Sequence, residues 1–123
     1  VSKVKISWKA FGDKPEQGRY TSSVEFETTF KIEEADVDQF LNVVYRVTNT
    51  YSGNLWEIIQ PQLAENRTHT ALSVGDEIEI DGQVYIVADF GFEKIEDVEI
   101  VYLPEEYGIK NVYSVKVKED ANV

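Results

Sequence analysis

A small α+β domain, with an antiparallel sheet of about five to six strands packed against one main helix, is what the residue pattern predicts. Three observations lead there. Ala71 to Ile95 holds two strand-like runs on either side of Asp81-Gly82. Four further segments alternate apolar and polar residues with the period of a half-buried strand. Val37, Phe40, Leu41, Val44, Val47, Thr48 and Tyr51 instead recur at three- and four-residue spacing, which predicts a helix from about Ala35 to Thr50. That spacing gives one apolar stripe on a helix.

In chain order, Val4, Ile6 and Trp8 alternate with Lys3, Lys5, Ser7 and Lys9, a first strand with a basic outer face. Gly12 to Gly18 is a loop by composition. Val24, Phe26, Thr28, Phe30 and Ile32 alternate with Ser23, Glu25, Glu27, Thr29 and Lys31, a second strand. Pairing the two as a hairpin sets lysines opposite glutamates. Glu33, Glu34, Asp36 and Asp38 stand where a helix start favours negative charge. Asn42 to Thr50 is rich in β-branched residues, so a strand there is the alternative to a helix. Ser52-Gly53-Asn54 ends the element. Leu55, Trp56, Ile58 and Ile59 form an apolar knot of one helical turn stopped by Pro61, and Gln62 to Thr70 is a polar loop.

Asp76 to Ile80 alternates charge and aliphatic side chains. Asp81-Gly82 supplies two positions that tolerate positive φ, as a two-residue type I′ turn requires. Val84, Ile86 and Ala88 continue on one face, Tyr85 and Val87 on the other, so the second strand is expected to be the more central. Gly75 suits a tight turn with Ser73 or Asp76 bonding its backbone. Gly91, between Phe90 and Phe92, marks a bulge or close approach. Glu93 to Asp97 is a turn. Val98 to Tyr102 and Val112 to Val117 are strands joined by a turn over Leu103 to Gly108. The tail 119–123 is expected to be disordered.

The chain has 123 residues, 42% hydrophobic and 12% aromatic, which suits a single domain spanning 1–123 with a real core. Its formal net charge is −11, from 23 acidic and 12 basic residues. That balance disfavours direct nucleic-acid binding, which needs a basic footprint. No cysteine is present, which excludes disulfides and thiolate chemistry. No apolar run is long enough to span a membrane as a helix, and the first residues lack a signal-peptide pattern. A cytoplasmic location is the expectation.

Leu72-Ser73-Val74-Gly75-Asp76, Asp81-Gly82, Tyr85 and Asp89-Phe90-Gly91-Phe92-Glu93-Lys94-Ile95 together resemble the YodL-like domain. That family reads SLSVSD, a strand pair, a tyrosine, then DSFGF and an acidic residue. The resemblance covers about a fifth of the chain, residues 72–95. Gly75 stands where the family often has serine. Thr70 stands where many members have histidine, with His69 one position early. The resemblance implies an uncharacterised accessory protein of phage or mobile elements and brings no catalytic residues with it.

Chemistry is sparse in the residues themselves. His69 is the single histidine, and Ser73 and Asp76 lie beside it on one turn, with no nucleophile elbow or oxyanion hole to complete a triad. The carboxylates follow no EF-hand order. No cofactor or metal is expected. The expected function is therefore non-enzymatic: an accessory protein that binds and modulates a host protein with a basic surface, as a host-defence inhibitor or an acidic mimic of nucleic acid. Trp56, Phe90 and Phe92 would anchor the partner, and Glu93, Glu96, Asp97 and Glu99 would steer it. The alternative is a small-ligand binder or enzyme with a pocket near the Phe90-Gly91-Phe92 turn.

Overall fold

The computed structural model describes residues 1–9, 22–63, 70–103 and 112–118. The expected loop at 12–18, His69, the turn at 104–108 and the tail 119–123 lie outside them. Within them the chain forms β1 (Lys3–Trp8), β2 (Ser22–Glu27), α1 (Val37–Thr50), α2 (Asn54–Ile59), β3 (Glu77–Ile80), β4 (Gln83–Val87), β5 (Phe92–Lys94), β6 (Val98–Leu103) and β7 (Val112–Val117). The expected α+β class holds. The strands divide into a five-stranded antiparallel sheet, ordered β2-β1-β3-β4-β5, and a separate ribbon of β6 and β7.

Alternation makes the sheet two-faced. Val4, Ile6, Trp8, Val24, Ile78, Ile80 and Val87 share one buried face. Val37, Leu41, Val44 and Val47 of α1 and Ile59 of α2 pack on it. The other face carries Lys3, Lys5, Glu25, Glu27, Glu77 and Glu79. Register sets Lys3 opposite Glu27 and Lys5 opposite both Glu25 and Glu79, the cross-strand charge pairing expected of the first hairpin. Lys5 Nζ stands 4.0 Å from Glu25 Oε1, both exposed. Such a pair contributes about 0–1 kcal/mol, against about 1.5–3 kcal/mol for each fully buried aliphatic side chain. The apolar face therefore decides which way the sheet faces.

α1 forms across Asn42 to Thr50 in spite of its β-branched residues, because its stripe of Leu41, Val44, Val47 and Thr48 is buried against the sheet. Tertiary burial outweighs their modest helix propensity. The helix starts after a 3₁₀ turn at Glu34–Asp36 and ends at Tyr51 in the left-handed region, φ 56°, whose N–H reaches Val47 O. α2 gives the apolar knot its helical turn. Pro61 does not stop the chain's helical course there: a 3₁₀ turn, Gln60–Gln62, runs through it. This is tolerated because proline fits the first positions of a helical turn, where its missing N–H is not needed.

Three further expectations are corrected. β2 ends at Glu27 and not at Ile32, because Thr28 turns inward. Its Oγ1 accepts the Ser2 N–H at 2.9 Å and donates to the Phe30 carbonyl, leaving Phe30 66% exposed. Next, β3 is the middle strand of the sheet and β4 is not. β4 is apolar on both faces for another reason: Tyr85 and Val87 face the helical layer, while Ile86, with Ala88, packs under Val98 and Val115 of the ribbon. The alternation of the hairpin predicts burial of Ile78, Ile80, Val84, Ile86 and Val87; Ile78, Ile80, Ile86 and Val87 are buried, and Val84 is half-buried. Last, Glu93 to Asp97 is not a simple turn. Phe92–Lys94 adds β5 to the sheet, and a 3₁₀ turn at Ile95–Asp97 leads into the ribbon.

The β3–β4 turn has the expected type I′ form, with Asp81 at φ 49° and Gly82 at φ 89°. A Cβ built on Gly82 meets nothing within 4 Å, so a substitution there costs backbone strain alone. Gly82→Val should lower unfolding free energy by about 1–3 kcal/mol, and Gly82→Asn by less, because asparagine tolerates the left-handed region. Urea denaturation of the two variants checks this; an unchanged midpoint for the valine variant would contradict it.

Candidate functional site

The turn between β4 and β5 is built by Asp89. Its carboxylate accepts the Val115 N–H at Oδ1 and the Ser114 hydroxyl at Oδ2, each at 2.9 Å, and its own N–H reaches Val115 O at 2.9 Å. Ala88 N–H closes the turn onto Gly91 O at 2.8 Å, with Gly91 at φ 71°. Phe90 is thereby presented at the tip, 91% exposed. Phe92 turns the other way and meets the ring of Tyr45 edge-on, centroids 6.2 Å apart. Trp56 sits in the helical layer, half-buried, with the Tyr51 ring 5.4 Å away. The three aromatic residues expected as anchors thus occupy different settings: a turn tip, the core margin, and a helix–helix contact.

The carboxylates after the turn are also set apart. Glu93 is on the outer face of β5, opposite Ile86. Glu96 and Asp97 are exposed in the 3₁₀ turn, and Glu99 is exposed on β6, opposite Lys116 of β7. The fold brings lysines among them. Lys118 Nζ donates to the Glu96 carbonyl at 3.1 Å, and its backbone N–H to the Asp97 carbonyl at 2.9 Å. The Glu96 carboxyl is held below the ordinary glutamate range, chiefly by the Gln83 amide that donates to it at 3.1 Å, with smaller help from Lys94 and Lys118. Among the described residues, no group of three or more His, Asp or Glu side chains is placed to hold a metal ion. No helix among them is long and apolar enough to cross a membrane.

A second surface has no counterpart in the sequence reading. Where β2 ends, a groove of about 640 Å³ opens between the Thr28–Ile32 connection, α1 and α2. Phe26, Phe30, Ile32, Phe40, Val43, Leu55 and Ile58 supply its apolar wall. Thr28, Thr29 and Gln39 add neutral polar groups, and the ionisable lining residues are Glu27 and Asp36, both acidic. Ile58 is 46% exposed and Phe30 more so. Phe30 fits the strand alternation of β2, which predicts a place on a sheet face, whereas the turn at Thr28 swings it to the groove.

Below the Phe90-Gly91-Phe92 turn lies a hollow of about 290 Å³, lined by Asn42, Tyr45, Leu72, Ser73, Asp89 and Gly91 among others. Small-molecule pockets usually occupy about 300–1,000 Å³, so this hollow stands at the lower limit and the groove well inside the range. Comparison with protein families, with curated proteins and with solved structures finds no match.

Asp89 gives a pH test. Its carboxyl is held below the ordinary aspartate range, first by the Val115 N–H, then by the Ser114 hydroxyl, with a smaller contribution from Lys116. A carboxyl with a lowered folded-state pKa stabilises the fold at pH above its unfolded value, near about 3.9, and that stabilisation is lost as pH falls through the folded value. Asp89→Asn should therefore flatten the fall of thermal midpoint between about pH 5 and about pH 2 relative to wild type. Parallel curves for the two proteins would show that the carboxylate does not hold the ribbon.

Proposed function

We propose that this protein is a non-enzymatic binding module that docks a partner protein presenting a basic surface. In the setting that the YodL-like resemblance implies, it is a phage or mobile-element accessory protein acting on a cytoplasmic host protein. The observation that carries this reading is the groove beside β2. It combines an apolar wall with a wholly acidic set of ionisable lining residues, and two of its exposed members, Phe30 and Ile58, are large apolar side chains. Buried apolar anchors supply most of the energy of docking, and complementary charge raises the encounter rate and rejects acidic competitors.

Glu33, Glu34 and Asp38, all exposed at the start of α1, extend the negative field around Asp36. Among the described residues Lys94 approaches them, its Nζ 3.9 Å from Glu34 Oε1. The carboxylates of residues 93–99 lie instead among Lys94, Lys116 and Lys118. Phe90 and those carboxylates form a second, weaker anchoring corner. The net charge of −11 favours a basic partner at either surface. In the sharper form of the proposal, the acidic rim takes the place of nucleic acid in the partner's basic groove.

The test compares three immobilised proteins exposed to host extract: wild type, Phe30→Asp/Ile58→Asp, and the reversal of Glu93, Glu96, Asp97 and Glu99 to lysine. Since Phe30 and Ile58 are exposed, the double variant should keep its melting temperature. It should retain at least about tenfold less of the specifically bound protein, a loss typical of a central anchor. The charge-reversal variant should lose less. Equal retention by wild type and the groove variant would remove the groove from the proposal, and an acidic partner would remove the steering.

A further inference from the structure

We infer that the occupant of this groove is a short amphipathic helix carrying lysine or arginine beside its apolar stripe; this rests on the docking reading above and gives the partner's form. Two features decide between a helix and an extended strand. The first is the edge of β2. β2 is an outer strand of the sheet, and the backbone of Glu25 faces away from β1. At Glu25 that edge is already occupied. The Gln62 amide accepts the Glu25 N–H at 3.0 Å and donates to the Glu25 carbonyl at 2.9 Å. Gln62 thereby imitates one residue of a neighbouring strand. A peptide adding to β2 as a strand would first have to displace both bonds, and strand addition draws its affinity from just such main-chain bonds.

The second feature is the wall. Asp36, Gln39, Phe40 and Val43 line the groove at positions i, i+3, i+4 and i+7, one face of α1 and the 3₁₀ turn before it. Seven residues rise roughly 10 Å along a helix, about two turns. A helix laid against this face presents its own anchors at i, i+3 or i+4, and i+7, the usual mode of helix-in-groove docking. Leu55 and Ile58 of α2 form the opposite wall at the same three-residue spacing. Charge then fixes the composition of the occupant. Glu27 and Asp36 line the groove, and Glu33, Glu34 and Asp38 flank it. An acidic helix would bring like charges together, whereas lysine or arginine bordering the apolar stripe meets opposite ones.

Three synthetic peptides of about fourteen residues test this: a helical leucine–lysine peptide with leucine at helical spacing, the same peptide with glutamate for lysine, and a valine–lysine peptide alternating as a strand. Each is titrated into the full ¹⁵N-labelled chain and followed by amide shifts. The helical leucine–lysine peptide should bind with shifts centred on Phe30, Phe40, Val43 and Ile58. The glutamate peptide should bind at least tenfold more weakly, and Glu27→Gln/Asp36→Gln should weaken the lysine peptide severalfold at unchanged melting temperature. Tighter binding by the valine–lysine peptide, with shifts at Glu25 and Gln62, overturns the helix in favour of strand addition. No groove shift from the leucine–lysine peptide also overturns it. If partner retention still depends on Phe30 and Ile58 in that case, docking at the groove stands and only the helical form of the occupant is lost.

Discussion

The structure depends on β1 and β3 lying side by side in one register, although the sequence between them is long. Two aspartates at the ends of β3 fix that register. Asp76, fully buried before the strand, accepts the Lys9 N–H at 2.7 Å and the Ser73 N–H at 2.8 Å. Asp81, in the turn after the strand, accepts the Lys3 N–H at 2.8 Å and the Ser2 hydroxyl at 2.6 Å. One carboxylate therefore grips each end of β1. Shifting the pairing by one residue would break both grips and turn Val4, Ile6 and Trp8 to the polar face. Ser2 carries the constraint further: its hydroxyl also accepts the Ile32 N–H at 2.7 Å, which ties the segment leading to α1.

From this fixed centre the two faces of the sheet acquire different roles. The inner face and the helices form the core, closed above by Trp8, whose indole N–H donates to Thr70 O at 2.7 Å. The outer face is charged across β1, β2 and β3 and turns apolar at β4, where the ribbon covers it. The groove falls where neither arrangement reaches, at the end of β2 beside two helices. Its exposure follows from the early bend at Thr28, which takes Phe30 and Ile32 out of the strand. Asp89 repeats for the ribbon what Asp76 and Asp81 do for β1, a turn carboxylate holding the backbone of a distant strand.

Much of this was legible in the residues. The β3–β4 hairpin, its Asp81-Gly82 turn and the stripe of α1 follow from local pattern, because period and turn chemistry act over a few residues. Strand order was not legible. An apolar run on both faces of β4 signals cover on both sides but cannot say whether helix, strand or ribbon supplies it. The acidic segment 93–99 read as one negative patch, since Lys116 and Lys118 are distant in sequence and reach it only through β7. For the same reason Asp89, read as part of a turn, gave no sign of its bond to Val115. The groove is not legible in local pattern because it joins residues from β2, α1 and α2 that are distant in sequence. The roles of Trp56, Phe90 and Phe92 in binding a partner remain part of the proposal, while their different surroundings are structural facts.

The ribbon's attachment has a consequence for how the molecule comes apart. β6 and β7 pair with each other and not with the main sheet, and they bury Val98 and Val115 on Ile86 and Ala88. Among the described residues this second cluster is far smaller than the one between sheet and helices. Regions with few buried contacts open at lower free energy than the whole. Detachment of the ribbon should thus cost less free energy than global unfolding, and it leaves the Asp76 and Asp81 grips intact. In such an opening β4 would keep its place in the sheet and show Ile86 to water, baring an apolar strip along one strand. Asp89, whose carboxylate binds β7 directly, opposes that opening.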